Sequence, residues 1–281
     1  MAEPSPLTQC WIWHGDSFQL RDAIPLTDRG FRYGMSVFES LRVINGHVGF
    51  LGEHLSSIQD AARRKEFQFP TQSLEQVAAT LGSVSGSAFA RVYITAGDGP
   101  PQAPATECRV ALICERRERV LPDAYALSVD TCPQSGCLEN LKTGNYWQNV
   151  AALKRALQEG ANETLLLNFH GKVVGCAMAN IFLKIGEQWC TPALEDGVRS
   201  GVTRAWVQSQ LKVVERSISR EEAESASEAF LTSSWIGVMP VATFQGRTLR
   251  VESGTLALRS NLEQRHLDSA AKSEASARSK P

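Results

Sequence analysis

Two hydrophobic rhythms alternate along the chain, and they divide it into elements. Residues 11–20 alternate apolar and polar positions as a strand does, with a turn at Gly15-Asp16. In residues 24–43 Gly30 and Gly34 interrupt an apolar and aromatic run, which predicts a loop leading into a strand; Asn45-Gly46 then marks a hairpin turn. At Leu51 the period changes. Leu51, Leu55, Ile58 and Ala62 predict an amphipathic helix over residues 51–65, with its charged face outward. A second helix is expected over 73–81, with Ser73 and Gln76 spaced as a capping box and Leu74, Val77, Ala78 and Leu81 as its stripe. Strands follow at 89–96 and 109–114.

The charged, aperiodic stretch 115–123 contains Pro122 and predicts a boundary. Beyond it a strand is expected near 125–130, then a helix with Val150, Leu153, Ala156 and Leu157 on one face, stopped by Gly160. Strands are predicted at 164–168, 172–174 and 181–185, a helix opened by residues 197–204, and extended runs at 213–216, 229–232 and 238–243. Past Leu267 the chain is rich in Ser, Ala, Lys and Glu without apolar period, and a disordered tail is expected. The domains read as 1–118 (smaller, N-terminal, α/β), a linker at 119–128, a C-terminal domain at 129–267, and a tail at 268–281. The class is α/β (α+β), with two domains and a cleft between them.

Composition narrows the partners. Of 281 residues 43% are hydrophobic, enough for a buried core, and a formal net charge of −1 supplies no broad basic field for nucleic acid. A small-molecule partner is expected instead. No apolar run is long enough to span a membrane and the first residues lack a signal-peptide layout, so the expected location is cytoplasmic. The seven cysteines never stand with histidines at zinc spacing, so no metal is expected; reduced thiols are, with Cys132 and Cys137 as small apolar fillers.

Two stretches carry candidate chemistry. Lys142, in Leu141-Lys142-Thr143-Gly144-Asn145-Tyr146, opens a helical pattern after a loop; an amine there could attack a carbonyl if its surroundings favour the neutral form. Residues 197–204 combine Gly197 and Gly201 with a helix start, the ingredients of an anion cradle or of an ordinary cap. Ser233 and Ser234 follow a predicted strand and would either donate to an oxyanion or simply make a turn.

The motifs taken in order resemble a known family: Asp28-Arg29-Gly30-Phe31-Arg32-Tyr33-Gly34, the lysine stretch, Ala179-Asn180-Ile181-Phe182, Thr191-Pro192-Ala193-Leu194, Gly201-Val202-Thr203-Arg204, Val213-Val214-Glu215-Arg216, Phe230-Leu231-Thr232-Ser233-Ser234 and Val238-Met239-Pro240-Val241. This series is similar to the class IV, fold-type IV pyridoxal-phosphate enzymes, which include branched-chain and D-amino-acid aminotransferases and aminodeoxychorismate lyases. The resemblance implies a smaller N-terminal α/β domain, a larger C-terminal domain with a barrel-like sheet, and a homodimer. It implies that Lys142 forms a Schiff base with pyridoxal 5′-phosphate and shuttles a proton. By matching position Val202, Thr203 and Ser234 would hold the phosphate, Asn180 and Tyr146 would stand beside the cofactor, and Tyr33, Phe38 and Arg91 would line the substrate pocket.

Two positions depart from the family pattern. Gly175 stands where the family has the glutamate that pairs with the pyridinium nitrogen, and Ser57 where an arginine grips the phosphate. The first expectation is an aminotransferase acting on a small amino acid and a 2-oxo acid. The 142–145 spacing and the run 234–241 lean toward the D-amino-acid and lyase branches, whereas Val37-Phe38-Glu39 looks like transaminases. The alternatives are an aminodeoxychorismate lyase releasing pyruvate to give 4-aminobenzoate, and a cofactor-poor member acting as a binding or regulatory module.

Overall fold

The computed structural model of the protein describes residues 8–21, 23–134 and 141–278, with secondary structure alone at 131–134 and 272–278. Two compact units emerge, one comprising Met1–Val120, Lys142–Asn145 and Gln264–Pro281, the other Leu121–Leu141 and Tyr146–Glu263.

The first unit is built on an antiparallel sheet of six strands: β1 (Thr8–His14), β2 (Ser17–Leu20), β3 (Ser36–Ile44), β4 (His47–Val48), β5 (Ser87–Thr95) and β6 (Arg109–Arg116), in the order β2-β1-β6-β5-β3-β4. Because side chains alternate across a strand, the register sorts them into two faces. Leu41 pairs with Ala90, which pairs with Cys114; these and Val43, Val92, Ile94 and Leu112 are buried on one face. Helix α2 (Leu51–Arg64) packs against β3 and buries His54, Ile58, Ala61 and Ala62. The opposite face carries Phe38, Ser40 and Arg42 beside Tyr93, Arg91 and Phe89. A short helix α1 (Arg29–Tyr33) precedes β3, capped by Asp28, whose carboxylate accepts from Gly30 N–H at 2.7 Å.

The helix expected over 73–81 is broken into α3 (Gln72–Glu75) and α4 (Val77–Leu81). Ser73 is not a cap: its hydroxyl turns back to donate to the Pro70 carbonyl at 2.6 Å.

The second unit holds a mixed nine-stranded sheet: β7 (Tyr125–Gln134), β8 (Glu163–Asn168), β9 (Val173–Cys176), β10 (Asn180–Ile185), β11 (Gln188–Pro192), β12 (Val213–Arg216), β13 (Glu228–Ser233), β14 (Gly237–Phe244) and β15 (Arg247–Thr248). Its order is β12-β11-β10-β13-β14-β7-β8-β9, with β15 beside β14. Leu165, Ile181, Leu183, Leu231, Met239 and Val241 form the apolar core on one face. Helix α5 (Trp147–Gln158) packs on β7 and β8, and α6 (Val202–Gln210) on β13. A short α7 (Arg220–Glu224) carries a full capping box between Ser219 and Glu222.

Helix α8 (Ser253–Arg278) runs through most of the stretch expected to be a tail. Serine, alanine, lysine and glutamate carry no apolar period, yet alanine, lysine and glutamate are good helix formers, so propensity sustains what periodicity does not announce. Among the described residues no helix is long and apolar enough to cross a membrane. Cys108, Cys114, Cys176 and Cys190 are free thiols. Cys137 lies outside the described residues, as does the side chain of Cys132.

Candidate active site

In the first unit, residues 142–144 add themselves to the edge of β3. Phe38 N–H donates to the Lys142 carbonyl at 2.8 Å, Gly144 N–H to the Ser36 carbonyl at 2.9 Å, and Val37 and Thr143 form an antiparallel bridge. Main-chain bonds on both sides of Thr143, one of them at the lysine's own carbonyl, therefore fix where the lysine side chain starts. Its Nζ lies 4.8 Å from the centre of the Phe38 ring, which stacks on Tyr93 at 5.2 Å. The Arg91 guanidinium stands 5.9 Å from the same ring. Lys142 and Arg91 thus both approach the Phe38 ring. Tyr33 is 40% exposed, with the Arg32 guanidinium 4.9 Å from its ring.

A buried ionic hub supports this edge. Arg29 is 1% exposed and donates to the carbonyls of Ala96, Gly97 and Ala103, the last at 2.7 Å. Beside it, fully buried Asp28 accepts from Arg109 at 2.6 Å and from the Thr95 hydroxyl at 2.8 Å. A buried charge is tolerated when its hydrogen-bond capacity is filled, and here it ties α1 to the loop after β5. Just beyond α1, the Asn145 amide donates to the Gly34 carbonyl at 3.4 Å, joining the lysine segment to the start of β3.

On the other face of β3, Ser57 is engaged. Its hydroxyl donates to Glu39 Oε1 at 3.0 Å, while His54 Nδ1 lies 3.2 Å from Glu39 Oε2. The side chain at the family's arginine position therefore serves a buried carboxylate.

The second unit contains an anion cradle at the start of α6. Helix N-termini leave amides without intrahelical partners, and the N-cap here is Gly201, which offers no side chain to satisfy them. A Cβ at Gly201 would collide with Asn180 Oδ1, so glycine is required by close approach. Asn180 in turn donates to the Arg199 carbonyl at 2.8 Å, fixing the turn that precedes Val202 and Thr203. Thr232, the register partner of Asn180, has a buried hydroxyl oxygen with no hydrogen-bond partner, and Thr203 is 5% exposed. Uncapped amides, a glycine forced by packing and an unsatisfied hydroxyl in one place fit a phosphate group. Ser234 lies in the turn between β13 and β14.

Tyr146 and Asn149 both reach the Ala177 carbonyl, at 3.4 and 2.9 Å. The amides of Ala177 and Met178 donate to the carboxyl of Glu163 at 3.0 and 2.9 Å, and Thr164 N–H does so at 2.9 Å. Burial pushes the Glu163 carboxyl up to about 7, against the pull of those three amides. Sequence reasoning missed Glu163; its signal was an acid opening the apolar run 164–167. It also missed Tyr93 and Arg42, which period-two alternation from Arg91 and Phe38 places on the same face.

Gly175 has φ +116°, a conformation that side chains rarely adopt. A glutamate could not be placed there on this backbone without strain.

The comparisons agree on the family. The Amino-transferase class IV family matches residues 36–244. A putative branched-chain-amino-acid aminotransferase of Methanocaldococcus jannaschii is 26% identical over 80% of this chain and 84% of its own length. The aminodeoxychorismate lyase of Bacillus subtilis is 25% identical over 81% of this chain and 83% of its own. The crystal structure of a branched-chain aminotransferase from Thermoproteus uzoniensis superposes with a TM-score of 0.82 at 21% identity, covering 91% of this chain and 93% of that one. With the motif series, the two-unit α/β architecture and the family match all in accord, the chain belongs to the class IV aminotransferases, the pyridoxal-phosphate-dependent enzymes of fold type IV.

Proposed function

We propose that the protein is a pyridoxal-phosphate-dependent aminotransferase that moves an amino group between a small amino acid and a 2-oxo acid, with Lys142 as its catalytic residue. The observation that carries this reading is the clamping of residues 142–144 onto β3, which sets the Lys142 amine over the Phe38 ring, a ring that Arg91 and Tyr93 also approach.

Pyridoxal phosphate, when bound, supplies a carbonyl carbon for an amine and an electron sink for charge developing at the substrate's α-carbon. The chain's residues divide the remaining work. The Val202 and Thr203 amides, the Thr203 hydroxyl and Ser234 hold the phosphate, and Asn180 keeps the turn before α6 in place. Lys142 Nζ would hold the cofactor and would carry a proton to and from the substrate's α-carbon. Phe38 forms an apolar wall beside that amine, and Arg91 offers a planar fork for a carboxylate. Gly175 supplies no carboxylate to a ring nitrogen, so electron withdrawal would be weaker than the family norm. The chain is read as one subunit of a homodimer.

The second reading is an aminodeoxychorismate lyase, favoured by the Bacillus subtilis relative. A panel of amino acids against 2-oxo acids, run beside an assay for pyruvate release from aminodeoxychorismate, separates the two. Amino transfer that is lost in Lys142→Ala is expected; pyruvate release without amino transfer would overturn the first reading in favour of the second.

A further inference from the structure

The peptide unit between Ala177 and Met178 is gripped at both ends. It lies in the turn between β9 and β10, and as a rigid trans plane it points its N–H and its carbonyl in opposite directions. The Met178 N–H donates to Glu163 Oε2 at 2.9 Å. The Ala177 carbonyl accepts from the Asn149 amide at 2.9 Å and from the Tyr146 hydroxyl at 3.4 Å, both at the start of α5. Glu163 Oε1 meanwhile accepts from the amides of Thr164 and Ala177 at 2.9 and 3.0 Å, so three N–H donors meet one buried carboxyl. Past Met178 the turn leads into Asn180, whose side chain fixes the start of α6.

We propose that Glu163 is a positioning residue of the cofactor site: by holding the N–H end of this peptide it aims the carbonyl end at Tyr146 and Asn149, and so sets how Tyr146 is presented to bound pyridoxal phosphate. This inference rests on the reading that Tyr146 stands beside the cofactor. A carboxylate accepts on both oxygens and suits three N–H groups, whereas a protonated carboxyl turns one oxygen into a donor. A proton on Oε2 would set an O–H against the Met178 N–H, and the peptide plane would tilt, taking the Ala177 carbonyl with it. A hydrogen bond at the amide also polarises the carbonyl of the same plane, so the hold on Glu163 strengthens the bonds from Tyr146 and Asn149. Burial pushes the Glu163 carboxyl up to about 7, so the hold forms as pH rises through neutrality. Strands β7 and β9 and helix α5 pack against β8, and their titratable side chains among the described residues are Tyr125 and Asp130 on β7, Cys176 on β9, and Lys154 and Arg155 on α5. Asp130 accepts from Arg155 at 2.5 Å, and Lys154 Nζ lies 5.6 Å from the centre of the Trp147 ring. Burial and Glu163 itself push the Cys176 thiol well above 9, so it stays neutral in this window.

The test measures the dissociation constant of pyridoxal phosphate across neutral pH for the wild type, Glu163→Gln, Tyr146→Phe and the double variant. Glutamine keeps the shape and one acceptor oxygen but does not ionise, and the cofactor's own titrations cancel in the ratio between variants. Glu163→Gln is expected to weaken binding about tenfold on the alkaline side, the size of one charge-assisted hydrogen bond, and about twofold or less on the acid side, where the wild-type carboxyl is itself protonated. In the Tyr146→Phe background the same substitution should cost about threefold or less, because residues that act through one another are not additive. Equal losses with and without Tyr146, or a loss that does not change with pH, would overturn the proposal. A readout without cofactor follows the Asn149 side-chain amide by NMR in isotope-labelled protein. Its shift should move with a midpoint at about 7 in the wild type and stay flat in Glu163→Gln. A flat Asn149 signal in the wild type would overturn the coupling even if Glu163→Gln fails to fold. A signal that titrates in a protein binding no pyridoxal phosphate supports the coupling and removes the cofactor reading alone.

Discussion

Glu163 shows how much one side chain can organise without touching the reacting atoms. It is 3% exposed, has no cationic partner among the described residues, and is balanced between burial, which favours the acid, and three amides, which favour the carboxylate. Its carboxyl, at about 7, lies above the ordinary value of 4.5, so the folded chain binds more protons than the unfolded chain between those limits. Stability from this group is therefore fully present below about 4.5 and is lost as pH rises through 7, a change on the order of 3 kcal/mol at one pKa unit per 1.4 kcal/mol. Thermal unfolding at pH 5 and pH 7.5 should show the wild type losing stability over that interval and Glu163→Gln losing markedly less; parallel curves would contradict the assignment. The buried neighbour Cys176, whose thiol is pushed well above 9 by burial and by Glu163, does not titrate in this window.

At the scale of elements, the two rhythms of the sequence marked most strands and helices, because burial on one face imposes period two or period 3.6 on any chain. Lys142, Phe38 and Arg91 were legible through family motifs, and the structure gathers them on one sheet. Non-local features left no periodic trace: the pairing of residues 142–144 with β3 joins segments about a hundred residues apart, and the Arg29 hub depends on carbonyls from another loop. The break between α3 and α4 was equally hidden, since Ser73 spends its hydroxyl on Pro70. The start of α6 was legible as a glycine before a helix, but its reason lies in Asn180. Gly201→Ala would press a methyl group onto Asn180 Oδ1 and displace the turn. Its expected effect is a rise of about tenfold in the dissociation constant for pyridoxal phosphate, the size of one lost charge-assisted hydrogen bond, with helix content unchanged by circular dichroism. Unaltered affinity would remove α6 from the phosphate site.

At the scale of the molecule, Leu20 is 69% exposed, Leu26 74% and Phe31 69%, the last two close in sequence to the Asp28–Arg29 hub. Apolar side chains so exposed suit a protein interface better than bulk water. If the chain assembles as the proposed homodimer through this segment, light scattering should give twice 30.7 kDa for the wild type and the monomer mass for Phe31→Asp. A monomeric wild type would refute the assembly, and a dimeric variant would move the interface elsewhere.

The central claim concerns one amine, and borohydride reduction after incubation with pyridoxal phosphate tests it most directly. The account predicts a visible absorption band that reduction bleaches, with the mass of the reduced cofactor found on the peptide containing Lys142 and on no other. Lys142→Ala should take up no reducible cofactor. A label on a different lysine, or a wild-type protein that stays colourless in excess pyridoxal phosphate, would contradict it.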